Sequence, residues 1–400
     1  MNQATTKPGH ILKPFNFICV FWGEKYCDEF ANLCLASLLS TNNIPALSET
    51  QRNDSCFLIV TTSKDWSYLQ GSSNFRRLKT LIKCRHIEMP ALEHVRNKMS
   101  IMSQGHKLAS EEAFRNKAMG VYLTPDLILS DGAVTTLSRL GQQGKAAVLC
   151  LAVRFSEEGF LDELKRKGAL KTDSPLDISS RSLVQMACKY IHTETKRYEW
   201  NGKCFAELPI SPYWKVSRSG LLFYSFSWAP LLVDYASIKK HDTSTFENWT
   251  LDGDYINKNF NKADRNTIHV VRDSDEITLI SFTREADLHF STRPYLWCLI
   301  PIVASEIKKI RLRDLFHGPI MDDLKREIFG KPVYMHYSDL NQNWQNVEAE
   351  AQQIINSCTL LPPTKRELFI KNTVFRLIHH WRMRGNYWAY IKGTTKAGLL

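Results

Sequence analysis

Between residues 15 and 154 the chain switches repeatedly between short apolar runs and longer segments with helical spacing. Residues 15–22 (FNFICVFW) form a run broken only by Asn16 and ending at Gly23, the pattern of a strand buried on both faces. Residues 26–39 follow with Phe30, Leu33, Cys34, Leu35, Leu38 and Leu39 near helical spacing, and the stretch Thr41-Asn-Asn-Ile-Pro45 breaks them off. Residues 56–61 (CFLIVT), 120–123 and 146–154 (AAVLCLAVR) repeat the strand pattern. A third strand is expected within 78–89, and helices over 94–118 and 134–140. Such alternation predicts an α/β fold, an open and mostly parallel sheet flanked by helices.

After residue 157 helical patterning dominates up to 198, and residues 205–228 turn rich in aromatic and β-branched side chains. Residues 221–228 (LLFYSFSW) alternate, which predicts antiparallel or mixed strands after the parallel part. Helices are expected over 300–329 and 347–358, and Pro362-Pro363 marks a linker. The expected organisation is a flexible lead-in (1–14), a main domain (15–290), a helical C-terminal extension (291–361) and a basic, aromatic-rich tail helix (362–400). Of the net charge of +11, the last 36 residues carry +7, so the basic balance belongs mostly to the tail and says little about the body's ligand. A basic amphipathic helix of this kind can lie on an anionic membrane surface, and peripheral membrane contact through 365–400 is one expectation. The body has no RNA-binding motif or basic stripe, so no nucleic acid partner is expected. No apolar run is long enough to span a bilayer, no secretory leader is apparent, and the ten cysteines show no C-x-x-C pair. A cytoplasmic location with reduced thiols is therefore expected.

The first strand is not followed by G-x-G-x-x-G, and no G-x-x-x-x-G-K-[ST] occurs, which disfavours a dinucleotide-binding Rossmann site and a P-loop. The most informative segment is 121–132 (VYLTPDLILSDG). An apolar strand runs into Asp126, a short apolar stretch follows, and Asp131 precedes Gly132. Ligands of open α/β sheets bind at the carboxyl ends of strands, and a carboxylate there can hold a divalent ion bridging nucleotide phosphates. Asp131-Gly132 is also good turn chemistry, with Asp131 able to N-cap a helix at Val134.

This segment resembles the nucleotide-diphospho-sugar transferases, glycosyltransferases of the GT-A fold, in which a strand enters D-x-D and often meets another Asp. Asp126 falls on the last acid of that motif, while Thr124 stands where the first acid belongs. The opening FICVFWGEKYCDEFANLCLASLLSTNN is similar to the family's first strand, nucleotide loop and first helix. The resemblance spans roughly residues 15–285. It implies a nucleotide-diphospho-sugar donor, a glycan or lipid-linked acceptor, and a divalent Mn or Mg ion. It also implies that Trp22, Gly23 and Tyr26 line the nucleotide pocket with Thr61, Thr62 and Thr124, and that Asp126, with Asp131 and a late His241, holds the metal. Asp252 or Asp254 would serve as the base that deprotonates the acceptor hydroxyl. A non-catalytic relative, binding a sugar nucleotide or scaffolding polysaccharide assembly, is the alternative, and Thr124 is its main support.

Two further groups compete for roles. Residues 241–245 and 248–255 gather His241, Asp242, Asp252, Asp254 and the aromatics Trp249 and Tyr255, but Asp-Gly-Asp is also a turn. Asp273-Ser-Asp275-Glu276 is itself a D-x-D after an apolar run, with a tight acidic hairpin turn as the simpler reading. Phe226-Ser-Trp228-Ala-Pro230 is a candidate for sugar contact among many aromatics better suited to the core.

Overall fold

The computed structural model describes residues 12–89, 98–247, 249–292, 301–370 and 372–373. Residues 374–400, most of the expected tail helix, and nearly all of the lead-in lie outside the described residues. The strands are β1 (Phe15–Val20), β2 (Cys56–Thr61), β3 (Lys83–Glu88), β4 (Met119–Leu123), β5 (Leu127–Leu129), β6 (Ala147–Leu151), β7 (Arg154–Ser156), β8 (Tyr213–Val216), β9 (Gly220–Phe223), β10 (Trp228–Asp234), β11 (Ile268–Val270), β12 (Leu279–Thr283) and β13 (Val333–His336).

Seven of them build the main sheet, in the order β3-β2-β1-β4-β10-β6-β11. β1 pairs in parallel with β2 and β4, β2 with β3, and β6 with β11. β10 enters antiparallel between β4 and β6. The chain therefore lays down β1, β2 and β3 in one direction and then crosses back to place β4 on the other side of β1. This open, mostly parallel sheet flanked by helices is the expected class and is consistent with a GT-A-like fold.

Alternate residues of β1 explain its apolar run. Phe15, Phe17 and Cys19 enter one apolar layer with Phe30, Phe57 and Leu129. Ile18 and Val20 enter the opposite layer with Ala109, Ala113 and Phe155. A strand covered on both faces has no solvent side to make polar. The helix Lys98–Arg115 covers the second layer and comes close at Gly105, where an added Cβ would lie 2.5 Å from Val20 Cγ1.

Two small sheets complete the fold, β5-β12-β7 and β13-β9-β8. β5 and β7 leave the carboxyl ends of β4 and β6, so the first small sheet sits at that end of the main sheet. The turn at 273–276 is not a hairpin, because β11 and β12 belong to different sheets. The C-terminal extension is not wholly helical either. β13 pairs antiparallel with β9, and the helices Pro301–His317 and Gln342–Thr359 close a third core with Trp200, Trp214 and Trp344. Phe226 and Trp228 belong to the interior rather than to a sugar-binding surface. Phe226 stacks on Phe329 with centroids 3.8 Å apart, and Trp228 donates to the Ser225 carbonyl at 2.9 Å. All nine described cysteines are free thiols. Among the described residues no helix is long and apolar enough to cross a membrane.

Candidate functional site at the β1–β4 switch point

Strand order reverses between β1 and β4, and the carboxyl ends of the strands at such a switch point are where open α/β sheets bind ligands. Residues 21–26 follow β1, residues 124–126 follow β4, and both segments arrive there by local sequence alone. Gly23 adopts φ 91°, which favours glycine, and its amide donates to Asp65 Oδ2 at 2.9 Å. The Thr62 hydroxyl donates to the same oxygen at 2.8 Å and accepts from the Asp65 amide, so Thr62 caps the helix Ser63–Leu69. Buried Asp65 thus pins the loop after β1 to the turn after β2. Thr61 is fully buried, and its hydroxyl makes no hydrogen bond. Tyr26 is 40% exposed and Trp22 half-buried, leaving aromatic surface at the loop.

Asp126 is half-buried at the exit from β4, and its carbonyl accepts from Phe282 N at 3.0 Å. Burial raises the pKa of its carboxyl, while the Thr124 hydroxyl bonded to it and the charge of Arg154 pull the other way. Three elements distant in sequence bring further charges here. Glu29, on the first helix, is only 8% exposed. Burial, then the nearby charge of Glu157, pushes its pKa up to about 7, with Asp126 adding to the rise and Lys25 and Arg284 opposing it. Arg284, just past β12, places Nε 2.8 Å from Glu157 Oε1 and a terminal nitrogen 3.9 Å from Glu29 Oε1. Lys25 Nζ lies 3.0 Å from Asp287 Oδ2 and 3.7 Å from Glu29 Oε1. None of Lys25, Glu29, Glu157 and Arg284 stands out in the sequence. The one signal is Glu29 itself, a carboxylate at a core-facing helical position beside Phe30 and Leu33.

The other expected residues do not join this site. Asp131 accepts from Asn42 N at 2.8 Å and from Asn42 Nδ2 at 2.6 Å. Both of its oxygens are spent on the 41–43 turn, and the helix Ala133–Gln142 starts from Gly132 without a side-chain cap. β10 runs antiparallel, so residues 235–267 depart from, and return to, the amino ends of the parallel strands. A strand the length of β4 separates the two ends by roughly 16 Å. His241 packs on Phe114, in the last turn of the helix Lys98–Arg115, and bonds Tyr255 Oη at 2.7 Å. Burial lowers its pKa to about 4. Asp252 caps the helix Gly253–Asn259, accepting from Asp254 N at 2.9 Å. Asp254 accepts from the Thr245 hydroxyl and pairs with Lys258, both at 2.8 Å. These are structural tasks, well away from Asp126.

The divalent ion implied by the resemblance therefore meets a poor donor set. Thr124 offers a hydroxyl in place of a carboxylate, and Asp131 and His241 are elsewhere. Among the described residues, one group of three has its metal-ligand atoms all within 4.8 Å of one another, Asp273, Asp275 and His336. There His336 Nε2 sits 2.9 Å from Asp273 Oδ1, while Arg181 forks onto Asp275 with Nε at 3.1 Å and a terminal nitrogen at 2.8 Å. The Asp273 partner raises the His336 pKa, and that imidazole in turn lowers the pKa of Asp273. Each acid already has a cation, so the group reads as an ion-pair latch joining the turn after β11 to β13.

No known protein family matches the chain, and no curated protein matches it. Solved structures similar in part include TarS of Staphylococcus aureus (10% identity, 36% of this chain, 22% of that one, TM-score 0.25). A Bacillus anthracis protein described as a glucose-1-phosphate thymidylyltransferase, in complex with a sucrose, matches at 12% identity over 36% of this chain and 57% of that one, TM-score 0.21. Mouse xyloside xylosyltransferase 1 matches at 10% identity over 39% and 58%, TM-score 0.20. The chain thus spans between 22% and 58% of the length of these structures.

Proposed function

We propose that the chain is a nucleotide-sugar-utilising transferase whose donor lies in the β1–β4 crevice. The observation that carries this reading is the switch point itself, which gathers the glycine loop after β1, the carboxylate after β4 and the Lys25–Glu29–Arg284 cluster. In this reading the base and ribose lie along Trp22, Gly23, Tyr26 and the 61–62 turn. Asp126 with Thr124 accepts and donates hydrogen bonds to ribose or sugar hydroxyls. Transfer breaks the bond between the anomeric carbon and the diphosphate oxygen, joins that carbon to an acceptor oxygen, and releases the acceptor's proton. Asp252 and Asp254 are spent elsewhere, and Glu29 is the acid in the crevice tuned near neutrality, where a general base works best.

Calorimetric titration with UDP-, GDP- and dTDP-sugars, paired with an assay of donor hydrolysis, tests the reading. Saturable binding with slow hydrolysis is expected. Asp126→Ala should weaken binding about tenfold or more with a nearly unchanged thermal midpoint. A large stability loss with unaltered binding would show that Asp126 is only structural. The capping roles of Asp252 and Asp254 favour one second reading, a binding protein without turnover, and binding with no hydrolysis would select it.

A further inference from the structure

The cation that a diphosphate needs is already present as protein. Lys25 and Arg284 each bridge two acids around Asp126, and both meet the same Glu29 oxygen only at 3.7 and 3.9 Å. That oxygen takes no hydrogen bond, although it is buried. Both cations retain open surface, 36% for the lysine side chain and 42% for the arginine. The donor set for a divalent ion, by contrast, lacks its second carboxylate at Thr124.

We infer that the crevice takes a nucleoside diphosphate without a divalent ion, Arg284 and Lys25 providing the counter-charge. This rests on the reading of the crevice as a nucleotide-sugar pocket. A planar guanidinium meets phosphate through two parallel N–H bonds, and an ammonium acts as a mobile point charge. The contacts to Glu29 are long, so both cations lose little there when they turn toward the ligand. Arg284 then exchanges its 2.8 Å contact to Glu157 for a phosphate oxygen, one charge-assisted bond for another. A divalent ion would need several hard oxygen ligands, yet Thr124 supplies only a hydroxyl, and Asp131 and His241 are engaged elsewhere.

Titration of the full chain with UDP, GDP and dTDP, in EDTA and again in Mn²⁺, tests the inference. The expected result is binding of at least one of them in EDTA, with Kd within about threefold of its Mn²⁺ value. Arg284→Gln should weaken binding about tenfold or more in both buffers, and Lys25→Met similarly, while Arg284→Lys retains an intermediate affinity. Near-ultraviolet circular dichroism shows whether each variant folds, and the native chain's EDTA comparison stands even if none does. Binding that disappears in EDTA and returns with Mn²⁺ would overturn the inference and leave the pocket reading intact. Undiminished affinity in folded Arg284→Gln would overturn the role of the arginine. Failure of all three nucleotides to bind in either buffer would remove the pocket reading and this inference with it.

Discussion

Two buried titratable side chains pull the stability of this protein in opposite directions with pH. The Glu29 carboxyl has an ordinary pKa of 4.5 and is raised to about 7 in the fold. The folded state holds its proton more tightly, so this contribution is full below pH 4.5 and lost as pH rises through 7, by roughly 3 kcal/mol at most. Glu29→Gln should therefore flatten the fall in thermal midpoint between pH 5 and pH 8, which a differential scanning series would show. His106 behaves inversely. It is buried against Tyr122 and Phe246, its Nδ1 has no partner, and burial lowers its pKa from 6.5 to about 4. Its contribution is complete above pH 6.5 and disappears as pH falls through about 4. His106→Phe, which cannot take the proton, should resist acid unfolding in that window better than the native chain. An acid limb identical in the variant and the native chain would locate the sensitive group elsewhere.

At the level of elements, helix Lys98–Arg115 approaches β1 closely at Gly105, and Gly105→Ala tests that contact. The new methyl would press on the β-branched Val20, whose rotamer has little freedom, and a loss of about 1–3 kcal/mol is expected in urea unfolding. Elements like β1, β2, β4 and β6 were legible in the sequence because burial on both faces leaves unbroken apolar runs. β3 lies within the expected 78–89, but its bounds were not legible: at the sheet edge it reads Lys83-Cys-Arg-His-Ile-Glu88, with Lys83, Arg85 and Glu88 exposed. β13 escaped because four residues carry no periodicity of their own. The two halves of the site divide the same way. Gly23 and Asp126 follow their strands directly, so local pattern located them. Glu29, Glu157 and Arg284 arrive on three separate segments, and only tertiary folding assembles them. The 241–254 group misled because nothing local reveals that β10 runs antiparallel, which sends that loop to the opposite end of the sheet.

For the molecule as a whole, the C-terminal extension is a structural partner of the main domain rather than an appendage. Trp344 is 1% exposed and packs against Tyr334 and His336, so Trp344→Ala should cost roughly 3–5 kcal/mol and unfold the extension and β8–β9 together. Loss of the extension alone, with an unshifted main transition in calorimetry, would show that the two are independent. The position of β10 has a wider consequence. The middle of the main sheet is occupied by a strand that leaves the ribosome more than a hundred residues after its neighbour β4. Until residue 234 has emerged, the nascent chain holds β4 and β6 with raw hydrogen-bonding edges and a gap between them. A premature stop in this interval would yield a sticky intermediate, and cells making this protein would rely on chaperones to shield that gap during synthesis.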